Sequence, residues 1–91
     1  MTGQPRIDRG EWMAVVRQQS LDRRTRLVAG LLADRAARDG RVRDTVGELA
    51  ACVCLTVTQV ADAVATLASH ELLARDGPRV LLLTRPGGDA G

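Results

Sequence analysis

Apolar residues recur at helical spacing through most of the chain, and the pattern breaks at a few recognisable points. Asp8 stands where a helix N-cap is expected, with Glu11 three residues on and Ile7 placed to pack on Trp12. Trp12, Val15, Val16 and Gln19 continue one face, which predicts a first helix over about residues 9–19. Ser20 restarts the chain. Leu21, Val28, Leu31, Leu32 and Ala36 then repeat at helical spacing through an arginine-dense segment, predicting a second helix over about 21–39. Gly40 stands where that helix would end in a left-handed cap. Arg41-Val42-Arg43 is short and extended at best.

The next stretch carries the most information. Thr45-Val46-Gly47-Glu48 is a capping box, and Thr56-Val57-Thr58-Gln59 is another, so two helix starts lie eleven residues apart. That distance demands a short helix at about 46–52, a tight turn at Val53 to Leu55, and a longer helix at about 57–70. It is the spacing of a helix-turn-helix. On the longer helix, Val57, Val60, Val64, Leu67 and Glu71 gather on one side, with Ala61 and Ala68 at its edge. Thr58, Gln59, Asp62, Thr66 and Ser69 lie opposite; for an arbitrary amphipathic helix that face would simply be solvated. Leu72-Leu73-Ala74 and Val80 to Thr84 are strand-like runs joined by Arg75-Asp76-Gly77-Pro78-Arg79, whose Asp-Gly-Pro is turn chemistry. A β-hairpin therefore follows the helix, and Pro86 to Gly91 reads as a disordered tail.

Composition narrows the class. Ninety-one residues hold one small core. Trp12 is the sole aromatic, so Leu, Val and Ala must build that core, which suits packed helices. The same scarcity argues against RNA modules that stack bases on aromatic rings. The longest uncharged stretch, Leu49 to Ala61, is too short to span a bilayer. The polar segment Met1 to Gly10 has no apolar signal core, and the expectation is a cytoplasmic protein with no membrane partner.

Charge is unevenly placed. All 13 Lys/Arg positions are Arg, and the net charge of +2 hides zones of +5 over residues 1–43, −4 over 44–74 and +1 over 75–91. Two basic zones thus flank an acidic middle. The Arg23, Arg24 and Arg26 group is a solvated helix face on the ordinary pattern, and also the best phosphate-contact candidate outside the hairpin.

Catalytic and metal chemistry finds little support. Cys52 and Cys54 with the distant His70 fall short of a four-ligand zinc set, and free cysteine is commonly a small buried residue. His70 at a helix C-terminus offsets the helix dipole. Gly87-Gly88 has no strand or helix around it to form a phosphate loop. The expectation is a binding protein, not an enzyme, with no cofactor.

Helix, short strand, helix-turn-helix and hairpin is the order of winged helix-turn-helix proteins, and several segments resemble that family. Thr45-Val46-Gly47-Glu48-Leu49-Ala50 resembles the opening of its first motif helix, with Ala50 small enough for close helix packing. Cys54-Leu55-Thr56 falls in the turn, Val60 at the apolar anchor of the second motif helix, and Ser69-His70-Glu71-Leu72-Leu73 looks like the exit into the wing. Arg26 to Arg35, with Asp39-Gly40-Arg41, resembles the lead helix of winged-helix domains in plasmid, phage and mobile-element replication and regulatory proteins.

The resemblance covers roughly residues 21–84. It implies a mainly α fold with a small β-hairpin: a winged domain over 21–85, preceded over 1–20 by an arm and an extra N-terminal helix. It also implies binding to double-stranded DNA, as in a transcriptional regulator or mobile-element accessory factor. The helix at 57–70 would lie in the major groove and the wing arginines on phosphates. Thr58, Gln59, Asp62 and Thr66 would then face base edges, with Gln59 able to pair bidentately with adenine. Arg43, Arg75 and Arg79 would contact the backbone, and Thr45 is a further DNA-binding candidate. A homodimer is expected, since one module buries a limited DNA interface, with Trp12, Val15 and Val16 of the first helix as the dimer element.

The chain departs from the family at two places. Cys54 stands where glycine is usual, so the turn must avoid a positive φ or carry strain. The reading helix has no Arg or Lys. The rival expectation is a winged-helix module that binds a protein partner or dimerises without a specific DNA target.

Overall fold

The structure is a computed structural model that describes residues 8–77 and 80–84. The described residues are mainly helical, with a small three-stranded antiparallel sheet. Asp8 opens helix α1 (Arg9–Gln18), its carboxylate accepting from the N–H groups of Gly10 and Glu11. Ile7, expected to staple onto Trp12, lies outside the described residues. Trp12 and Val16 are fully buried, and Val15 is half-buried against the same core. The indole N–H of Trp12 donates to the backbone carbonyls of Leu72 (3.0 Å) and Thr84 (2.9 Å).

Of Trp12, Val15 and Val16, expected to form a face for a second copy, this corrects the first and the last; Val15 is only half-buried. Trp12 and Val16 are core residues of their own chain. The stripe looked unpartnered because the segment after the hairpin, which accepts the indole N–H, is 72 residues away.

Helix α2 (Arg23–Arg35) is shorter than the periodicity predicts. Asp22 is its N-cap residue, and its carboxylate accepts from the Thr25 hydroxyl, which holds the carboxyl below its usual pKa range. At the other end Ala36 turns extended, and the Arg9 guanidinium donates to the helix-end carbonyls of Ala33 (3.3 Å) and Ala36 (3.4 Å). Gly40, at φ 86°, is therefore not the cap of α2. It shapes the turn into strand β1 (Arg41–Val42), donating its N–H to Ala37 O at 2.9 Å.

Helix α3 (Val46–Val53) and helix α4 (Val57–Ser69) both start with complete capping boxes, at Thr45 with Glu48 and at Thr56 with Gln59. The three residues between them bend the chain by 108°. Cys54 takes a left-handed conformation (φ 57°, ψ 37°) and donates its N–H to Ala50 O, so the turn carries strain of about 1–2 kcal/mol that glycine would avoid. Ala50, 4% exposed, lets the two helices approach closely.

Strands β2 (Leu73–Arg75) and β3 (Leu81–Leu83) form the expected hairpin, with Leu73 opposite Leu83 and Arg75 opposite Leu81. Beyond that expectation, β1 adds to the far side of β3, pairing Val42 with Leu81, so the order is β1-β3-β2. The Arg41 guanidinium reinforces the closure through ion pairs with Asp39 (2.6 Å) and Asp76, linking β1 to the hairpin turn. The Arg41 backbone N–H and then its guanidinium hold the Asp39 carboxyl below the usual range, against the opposing effect of partial burial.

Helix α2 packs on α1, α3 and α4, and the core between them is aliphatic around Trp12: Val28, Leu32, Leu49, Val60 and Leu67 are fully buried. On α4 the buried positions are Val60, Ala63 and Leu67. Val57, expected on that packed side, is 56% exposed because it starts the helix beyond the edge of the core. Glu71, expected there too, lies past the helix end and is exposed.

Candidate nucleic-acid interface

The first turn of α3, helix α4 and the end of β2 lie side by side around a common cleft. Thr45 caps α3 with its hydroxyl, accepting from Glu48 N–H at 3.1 Å, while its own N–H donates to the Glu48 carboxylate at 2.7 Å. Asp44, Thr45, Val46, Val64, Arg75 and Leu81 border a common half-open cleft of about 400 Å³. The fold thus brings Thr45 and Arg75 together from thirty positions apart. Arg43, exposed at the end of β1, is two residues from Thr45. Arg79 lies outside the described residues.

The four candidate base-reading residues on α4 separate. Thr58 and Asp62 are exposed. Gln59 is half-buried, and its amide oxygen accepts from Thr56 N–H at 3.0 Å within the capping box. A bidentate pairing with adenine therefore has to use the second lone pair of that oxygen or open the box. Thr66 is half-buried and its hydroxyl donates back to Asp62 O at 3.0 Å, the usual local bond of a mid-helix threonine. The outward face of α4 thus consists of Val57, Thr58, Ala61, Asp62, Ala65 and Ser69, with one carboxylate and no cation.

Several arginines are already engaged. Arg9 covers the end of α2, and Arg41 is held by two aspartates. Arg35 pairs with Asp44 at 3.7 Å and donates to Cys52 Sγ at 3.0 Å, and these two partners raise its pKa, Cys52 first. The Arg35–Cys52 contact joins α2 to α3 and has no signature in the sequence, where the two residues stand 17 positions apart. Arg23, Arg24 and Arg26 are exposed on the first half of α2.

Cys52 and Cys54, expected to be buried, are both exposed free thiols: Cys54 is carried outward by its left-handed turn, and Cys52 lies on the outer side of α3. Among the described residues no group of three or more His, Cys, Asp and Glu side chains could hold a metal ion. His70 closes α4 with its backbone N–H, and its ring Nδ1 lies 3.3 Å from the Gln19 amide oxygen. No single described helix is long and apolar enough to cross a membrane.

Comparison of the chain with protein-family models, with curated proteins and with solved structures found no match.

Proposed function

We propose that the chain is a winged helix-turn-helix module that binds double-stranded DNA, of the kind used by transcriptional regulators and mobile-element accessory factors. The observation that supports this best is the element order α2-β1-α3-α4-β2-β3 with β1 paired to β3. A short strand ahead of the two-helix motif joins the hairpin behind it, so the hairpin is braced beside α4 as a wing would be. In this reading α4 enters the major groove. Arg43, Arg75 and the first turn of α3 hold phosphates, with Arg79 of the wing as a further contact.

The distribution of charge sets the character of the binding. Thr58 is a permissive reader and Asp62 can accept from the amino group of cytosine, but Ala61 and Ala65 read nothing by hydrogen bonding. Affinity therefore comes mainly from phosphate contacts and discrimination between sequences is small. The protein acts as a binding module without catalysis, in the cytoplasm where duplex DNA is found. Pairing of two copies would double a limited interface.

Titration of the purified chain with random and genomic duplexes at two salt concentrations tests this. The expected result is binding that weakens steeply with salt and differs little between sequences.

A second reading has its own observation in favour. The outward face of α4 is apolar at Val57, Ala61 and Ala65, with Asp62 its single charge, which suits a protein partner better than a phosphate backbone. In that case the same titration shows no duplex binding at low salt.

A further inference from the structure

We propose that Cys52 is a modification site: its thiol exchanges with low-molecular-weight disulfides to give a mixed disulfide, and Arg35 is the positioning residue that activates it. The chain carries two cysteines, two positions apart, and both are exposed free thiols. Their surroundings differ. Arg35 Nη2 donates to Cys52 Sγ at 3.0 Å, whereas the Cys54 thiol has no partner among the described residues.

The guanidinium is itself held in place. Its Nη1 faces the Asp44 carboxylate at 3.7 Å, so the planar fork presents one nitrogen to Asp44 and another to the sulfur. Asp44 offsets part of the charge, but the nearer contact is with Cys52, which is also the first cause that raises the Arg35 pKa. Both thiols stand at the C-terminal end of α3, whose partial negative charge disfavours a thiolate at either. Arg35 counters that effect at Cys52 and not at Cys54. A guanidinium beside an accessible sulfur favours the thiolate, the form that attacks a disulfide.

The exchange needs no reactant besides the disulfide. Cys52 releases its proton to water, and the thiolate sulfur attacks one sulfur of the reagent. The reagent's S–S bond breaks, and its other half leaves as a thiolate that takes up a proton. Cys52 is oxidised and the reagent is reduced. The adduct places a neutral sulfur beside Arg35, which weakens the tie between α2 and α3. The site stands whether or not the chain binds DNA.

The test uses full chains with one thiol each, Cys54→Ser and Cys52→Ser, treated at neutral pH with hydroxyethyl disulfide and followed by mass spectrometry. This reagent is neutral, so a positive charge does not draw it in. Cys52 should react about three- to fivefold faster than Cys54. Adding Arg35→Gln should bring Cys52 down to the rate of Cys54 and leave Cys54 unchanged, because only Cys52 has the contact; a merely structural arginine would move both thiols or neither. Salt at about 1 M screens an exposed pair and should narrow the difference with Arg35 left in place. The proposal is overturned if Cys54 reacts as fast as Cys52, if Arg35→Gln leaves the Cys52 rate unchanged, or if it slows both thiols equally.

Discussion

Trp12→Ala is expected to cost about 3–5 kcal/mol, a large part of the roughly 5–15 kcal/mol that holds a small domain together. The side chain is fully buried, and it is the largest volume in a core otherwise made of Leu, Val and Ala. It also joins three separate parts of the chain. From α1 the indole N–H reaches the carbonyl of Leu72, just after α4, and that of Thr84, just after β3. Leu72 O keeps a second donor in the Thr84 N–H at 2.9 Å, so the loss falls mainly on Thr84 O. Trp12→Phe should accordingly cost less: it keeps most of the ring volume but removes the donor, about 1–3 kcal/mol. Urea denaturation followed by circular dichroism measures both, since the variants lose the chain's one indole fluorophore. A destabilisation below about 1 kcal/mol for Trp12→Ala would mean that α1 does not pack as described.

Arg43→Ala combined with Arg75→Ala should reduce duplex affinity and, more tellingly, its dependence on salt. Removing one phosphate contact lowers the slope of log affinity against log salt by about 0.9, so the double substitution should lower it by about two. Neither residue is an ion-pair partner within the described structure, and both are exposed, so stability should change little. The control is Arg41→Ala. Its guanidinium is already held by Asp39 and Asp76, so it should leave the slope nearly unchanged while loosening β1 from the hairpin turn. An unchanged slope in the double variant would move the phosphate contacts to Arg23, Arg24 and Arg26 on α2.

Local chemistry was legible in the sequence wherever neighbouring residues decide it. Both capping boxes form, the three-residue turn falls where their spacing requires, and the two apolar runs at Leu73–Arg75 and Leu81–Leu83 pair as strands. Most readings that failed depended on a distant partner, whereas the exposure of Cys54 follows from its own left-handed turn. Gly40 looked like a helix cap because nothing local shows that Arg9 covers the end of α2, freeing the glycine for the turn into β1. Trp12 looked like a surface for a second copy because its hydrogen-bond partners lie at the other end of the chain. The short strand at Arg41 and Val42 was legible, but its pairing with β3 was not, because two residues carry no periodicity that names a distant partner.

The candidate interface was half legible. Thr45 and Arg75 were named separately from their types, and the fold sets them beside one cleft. Gln59 was named as a base reader from its position after the turn. The capping box that predicted the helix is the same bond that occupies its amide oxygen. Two sequence arguments thus meet at one atom, and base reading by Gln59 has to use the second lone pair of that oxygen or open the box.

The most direct measurement is amide NMR of the chain during titration with a random duplex at low salt. The DNA reading predicts the largest shifts at Arg43, Thr45, Thr58, Asp62 and Arg75, all exposed. Shifts confined to α2 around Arg23, Arg24 and Arg26, or no shifts at all, would contradict it.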